Sequence, residues 1–173
     1  FGLLLCTMFA GILTMYGQGA KNIKINEVLT NNTANLQDEF GNRRAWIELA
    51  NTSFSTYDVR GMYITTDRRV LNKGLSVPQR IKMMSCIPNG DNRTSMSARE
   101  HLLFFFNSNP SHGTLHLSAQ ISKDKPTWIA LYDGNAVDII DSVTVPPLAA
   151  NQSYARIKDG ADQWAVKTSD CVT

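Results

Sequence analysis

From Lys21 onward, apolar and polar side chains alternate with a period of two, not the roughly 3.6 of a helix. Ile23 and Ile25 alternate with Lys24 and Asn26; Ala45, Ile47 and Leu49 alternate with Trp46 and Glu48; Ile129 and Leu131 lie between Trp128, Ala130 and Tyr132. Short apolar runs at Leu102 to Phe106, Leu115 to Leu117, Val137 to Val145 and Trp164 to Val166 add further strands. Turn residues separate them at Phe40-Gly41-Asn42, Pro88-Asn89-Gly90, Asn109-Pro110, Asp133-Gly134 and Asp159-Gly160, where Gly or Asn takes positive φ at little steric cost. No stretch after Gly19 holds helical periodicity over three turns. Many short strands at this spacing predict an all-β sandwich, with Ile25, Ile47, Leu49, Ile129, Leu131 and Trp164 in its core.

The first sixteen residues differ. Phe1 to Tyr16 carries no charged side chain and is followed by Gly17-Gln18-Gly19-Ala20, small residues of the kind a signal peptidase accepts. As a helix this run rises about 24 Å, short of a hydrocarbon core of roughly 30 Å, so the chain is expected to start further upstream. Gly2, Cys6, Ala10 and Thr14 recur every four residues, with Thr7 and Gly11 on the adjacent row. Small residues at that spacing let membrane helices approach closely. We read residues 1–19 as a transmembrane helix or uncleaved signal anchor whose small-residue face meets partner helices, and residues 20–173 as one domain.

The remaining length suits one domain with a real core. A net charge of +2 favours neither nucleic acid nor an acidic partner. Between Arg43 and Lys82, however, eight basic residues face three acidic ones, a run that ordinarily forms a solvated face.

Several motifs together resemble a known family. Ile25-Asn26-Glu27-Val28, then Trp46-Ile47-Glu48-Leu49 with Asn51, then Gly61-Met62-Tyr63-Ile64-Thr65 with Asp67, is similar to the first half of a lamin-tail domain. Ile87-Pro88-Asn89-Gly90, His116-Leu117-Ser118, Ile129-Ala130-Leu131-Tyr132-Asp133-Gly134, Val137-Asp138, Ser153-Tyr154-Ala155-Arg156, Asp159-Gly160 and Trp164 continue the likeness through residues 23 to 173. The resemblance implies an immunoglobulin-like β-sandwich that works as an interaction unit. The usual closing turn of the family, Thr-Pro-Gly or similar, is expected beyond Thr173, and the chain departs from the pattern in a longer, more polar stretch from Arg93 to Glu100. Insertions in a sandwich fall on loops, where partners bind without disturbing the core, so Arg93, Arg99 and Glu100 mark a candidate partner loop.

Chemistry-bearing motifs are sparse. The sequence has no Gly-x-Ser-x-Gly elbow, His-Glu-x-x-His pair or phosphate-binding glycine loop. His112 and His116 stand four apart without a nearby third ligand. Glu27 and Glu48 read either as paired carboxylates for acid–base work or, more ordinarily, as acceptors of hydrogen bonds with Arg156 as a partner. Trp46, Trp128 and Trp164 read as core residues before sugar platforms. Cys86 and Cys171 are the one cysteine pair after the apolar segment; a disulfide between them would suit an exported protein, and two separate thiols fit equally. Asn31, Asn51, Asn92 and Asn151 open Asn-x-Ser/Thr sequons, and Asp141-Ser142-Val143 is similar to the short O-glycosylation signal of Bacteroidota.

These readings converge on a non-enzymatic, single-pass protein of a bacterial inner membrane, with its sandwich in the periplasm. It is expected to need no cofactor, metal or small-molecule substrate and to scaffold other membrane proteins of a larger complex. Lys21 and Lys24 directly after the apolar run oppose that orientation under the positive-inside rule. A secreted binding module for carbohydrate or protein, and the non-catalytic part of a larger exported enzyme, are the other classes that fit.

Overall fold

The computed structural model describes residues 19–168. Its strands are β1 (Ile23–Leu29), β2 (Trp46–Asn51), β3 (Tyr57–Asp58), β4 (Tyr63–Thr65), β5 (Ser85–Cys86) and β6 (Ser95–Met96). They continue with β7 (His101–Phe106), β8 (His116–Leu117), β9 (Thr127–Tyr132), β10 (Ile139–Val145), β11 (Ser153–Arg156) and β12 (Trp164–Lys167). The protein is all-β: a six-stranded sheet ordered β12-β11-β1-β2-β7-β8 packs against a four-stranded sheet ordered β10-β9-β4-β5, and β3 pairs with β6 apart from both. Strand pairing is antiparallel except between β7 and β8.

The period-two pattern decides what lies between the sheets. Ile25, Ile47, Leu49 and Phe104 from the larger sheet meet Ile64, Ile129, Leu131 and Val145 from the smaller one in a single buried cluster. Five of the six expected core residues are there, fully buried. Trp164 is the exception, because β12 is an edge strand with one neighbour. The ring is half-buried, stacks on Tyr154 at 5.2 Å, and lies 4.6 Å beneath the Arg156 guanidinium. Trp46 is buried in a separate cluster with Leu29 and Phe105, since it alternates with Ile47 and points to the opposite face.

Residues 67–84 hold a feature that no long periodicity announces. A 3-10 turn at Arg68–Leu71 and a short helix α1 (Val77–Ile81) sit on the outer face of the smaller sheet, where Val70, Ala130 and Tyr132 form a third cluster. The helix is specified locally. Pro78 is compatible with its first turn, and the Gln79 carboxamide oxygen accepts from the Ser76 N–H at 2.8 Å. Arg80 then donates to the Val70 carbonyl at 2.5 Å and the Asn72 carbonyl at 3.0 Å, tying the helix to the 3-10 turn.

Two β-bulges shape the edge where the sheets meet. The register of β1 against β2 shifts between Ile25 and Glu27, and that of β10 against β9 shifts between Ile139 and Asp141. A bulge leaves a residue out of the ladder and re-aims its neighbours. Both backbone groups of Ile25 accordingly turn to side chains: its N–H donates to Asp141 Oδ2 at 2.8 Å, and its carbonyl accepts from Arg156 Nε at 2.8 Å. Arg156 also pairs with Asp141 Oδ2 at 2.8 Å, closing the loop. The expected pairing of Arg156 with Glu27 or Glu48 is therefore corrected. Arg156 serves the inter-sheet edge, because it alternates with Ala155, the residue paired to Glu27.

Asp159-Gly160 fulfils the turn reading. Gly160 has φ +70°, and a Cβ there would sit 2.8 Å from the Thr52 methyl group, so this position excludes side chains for two reasons. At Asp133-Gly134 the positive φ falls instead on Ala136, at 56°. Among the described residues, no helix is long and apolar enough to cross a membrane. The expected membrane segment with Gly2, Cys6, Ala10 and Thr14 lies outside the described residues, as does Cys171 of the expected disulfide.

Candidate functional site

The stretch from Arg93 to Glu100 is not the open loop its polarity suggests. Asn92–Thr94 forms a 3-10 turn and Ser95–Met96 pairs with β3, so Thr94 and Met96 are buried while Arg93, Arg99 and Glu100 stay exposed. Thr94 Oγ1 donates to Asp58 Oδ1 at 2.8 Å, and Arg93 pairs with Asp91 at 2.6 Å. That guanidinium and the Arg93 N–H hold the Asp91 carboxyl well below the usual carboxylate range.

Asn51, at the end of β2, organises the surface. Its side chain is buried, and its amide donates to the carbonyls of Ser55 at 2.8 Å, Ser97 at 2.9 Å and Met96 at 3.2 Å. Its side-chain oxygen accepts from the Ser53 N–H at 3.0 Å, an Asx turn, and its own N–H donates to the Glu100 carbonyl at 2.9 Å. One residue thus staples the 52–56 turn to the 95–100 turn. The Glu100 carboxylate accepts from the Ser97 N–H and tightens the second turn. At the tip of the 52–56 turn Phe54 is 84% exposed, and the Arg99 guanidinium of the second turn lies 4.5 Å over its ring. Arg99 adopts φ +64°, a left-handed conformation costing an ordinary residue about 1–2 kcal/mol. An exposed aromatic under a strained arginine, both on turns fixed by a buried amide, is a pre-organised contact pair.

The two histidines do come together. Their rings lie 5.5 Å apart, edge to face, and Asn107 Nδ2 contacts Nδ1 of His112 at 3.0 Å and of His116 at 2.6 Å. The amide is oriented by its oxygen, which accepts from the Asn109 N–H at 2.8 Å. Both Nδ1 atoms must therefore be acceptors, and His116 Nε2–H is free to donate to Glu39 at 2.9 Å. With Phe40 against both rings, the cluster clasps the 36–42 loop to the end of β7. Its Nδ1 lone pairs are committed to Asn107. Among the described residues no group of three or more His, Cys, Asp or Glu side chains is placed to hold a metal.

Glu27 and Glu48 are cross-strand neighbours, both buried. The bulge brings Asn26 to the same place: its amide donates to Glu48 Oε1 at 2.9 Å and to Asp159 Oδ1 at 3.3 Å, while Lys167 stands 3.8 Å from Glu27. Burial pushes the Glu48 carboxyl above its ordinary value, with the Glu27 and Asp159 charges adding to the rise; the Asn26 bond and His101 oppose it. A group raised in the folded state stabilises fully below its unfolded value and loses that contribution as pH rises through its folded value. Ionised Glu48 is thus a burden at neutral pH. Glu48→Gln, which keeps an acceptor for Asn26, should raise the melting temperature above wild type at pH 7, with the difference vanishing below about pH 4.5. Parallel thermal melts from acid to neutral pH would read this, and a constant offset at every pH would remove Glu48 as the cause.

Of the three tryptophans, Trp46 is buried, Trp164 edges β12, and Trp128 on β9 is half-buried with the Arg68 guanidinium 5.6 Å from its ring centroid. Cys86 is exposed on β5. In the sequence the only sign of Phe54 is its isolation among Ser and Thr in Asn51-Thr-Ser-Phe-Ser-Thr56. Comparison with protein-family models, with curated proteins and with solved structures found no match for this chain.

Proposed function

We propose that this protein is a non-enzymatic interaction module: a lamin-tail-like, immunoglobulin-like sandwich of a bacterial envelope protein that binds another protein of a membrane assembly. The observation that carries the reading is the Phe54 and Arg99 pair, presented on two turns that Asn51 locks together. Aromatic and arginine side chains dominate interface energetics, and rigid presentation lowers the ordering cost of binding. Arg93 and Glu100 flank the pair as polar rim residues. In this reading the apolar segment 1–19 tethers the module, with the stripe Gly2, Cys6, Ala10 and Thr14 toward partner helices and the sandwich in the periplasm.

The test is co-purification of the partner with full-length variants from native membranes in mild detergent. Phe54→Ala and Arg99→Ala should each reduce recovery about tenfold or more, as expected for hot-spot residues, while leaving the melting temperature nearly unchanged because both side chains are exposed. Ala10→Leu tests the tether separately. Undiminished recovery with Phe54→Ala would exclude this surface.

A further inference from the structure

A second site lies on the smaller sheet, away from Asn51. Residues 66–68 and 120–128 enclose an open groove of about 590 Å³, lined by Thr66, Arg68, Gln120, Ser122, Lys125 and Trp128. A smaller recess of about 220 Å³, reaching Lys82 and Ser118, shares Thr66 and Asp67 with it. The lining divides by how fully its groups are already used. Asp67 is spent on Arg69, through a bidentate pair at 2.5–2.9 Å. Ser122 Oγ accepts from the N–H groups of Asp124 and Lys125, and Thr66 Oγ1 donates to the Gln120 carbonyl. The Lys125 ammonium and the Gln120 carboxamide, by contrast, have no partner among the described residues, and Arg68 makes one weak bond, to Thr144 at 3.3 Å.

We infer that this groove binds an acidic oligosaccharide, with a pyranose ring on Trp128 and its carboxylate between Arg68 and Lys125. The apolar C–H face of a pyranose complements the negative face of an indole. The Arg68 guanidinium lies over the Trp128 ring, 5.6 Å from its centroid and near the outer limit of about 6 Å for a cation–π contact, so a pyranose reaches that face as this loosely held cation swings aside toward the carboxylate. A guanidinium with four N–H groups uncommitted takes a carboxylate in a bidentate grip. Gln120 supplies both a donor and an acceptor for sugar hydroxyls. A neutral sugar would leave both cations unanswered. The inference stands independently of the Phe54 surface.

The experiment titrates the full-length protein with trigalacturonate and with the neutral trisaccharide maltotriose, at about 0.15 M salt to screen non-specific attraction. Calorimetry gives affinity and tryptophan fluorescence reports the platform. Saturable trigalacturonate binding is expected, weakened about tenfold or more both in Trp128→Ala and in the exposed-site variant Lys125→Glu, with maltotriose at least about tenfold weaker. Lys125→Glu lies on the surface and keeps the fold if Trp128→Ala does not. Phe54→Ala should bind as wild type does. Absence of saturable binding, unchanged affinity in Lys125→Glu, or equal affinity for maltotriose would each overturn the proposal.

Discussion

Arg156→Leu should destabilise the protein by about 3–5 kcal/mol, the range for removing one partner of a buried ion pair. Arg156 is 6% exposed and the Asp141 side chain 12%, so neither charge is well hydrated. The substitution leaves the Asp141 carboxylate buried without its cation. It also leaves the Ile25 carbonyl without its donor, at a bulge where no neighbouring strand can replace it. Both penalties point the same way. Asp141→Asn should cost less, because an amide oxygen still accepts from the Ile25 N–H. Since the three groups form one network, Arg156→Leu combined with Asp141→Asn should cost less than the two singles together, as contacting residues generally do. Urea unfolding at neutral pH measures all three, and simple additivity would show that the clamp is not a unit.

That clamp marks where sequence reasoning ran out. Strand positions in both sheets were legible, since a half-buried strand must alternate and Ile25, Ile47, Leu49, Ile129 and Leu131 do so. Arg156 was legible as a motif residue and its partner was not: 131 positions separate it from Ile25, and the contact depends on two bulges that no local signal announces. The same holds for Asn51. Its place after the Trp46-to-Leu49 strand was noticed, but its function as a staple required the 95–100 turn to fold back beside it. The polar stretch from Arg93 to Glu100 reads as a loop, and Arg93, Arg99 and Glu100 are exposed, but the burial of Thr94 and Met96 is not legible, because the two-residue strand β6 is too short for an alternating pattern to show. The four-residue spacing of His112 and His116 fits a pair of metal ligands. The decisive residue, Asn107, carries no motif, and only its orientation by the Asn109 N–H shows the imidazole lone pairs to be occupied.

Leu131→Ala and Trp164→Ala should separate, although the alternating pattern places both residues in the core. Leu131 is fully buried on β9, paired with Ile64 on β4 and Asp141 on β10, and it packs in the cluster that joins the two sheets. Truncating it removes the transfer free energy of its lost carbons and opens a cavity between two sheets that cannot close without breaking register. The expected loss is about 2–5 kcal/mol. Trp164 on edge strand β12 loses less when truncated, because water already reaches its ring. What disappears is the stack on Tyr154 and the contact with the Arg156 guanidinium, together about 1–2 kcal/mol. The larger aromatic should thus prove the less costly deletion, an inversion of the order that residue size would give. Denaturant midpoints for the two variants decide it: a Trp164→Ala loss equal to or greater than that of Leu131→Ala would mean that the β12 edge closes the core instead of capping it.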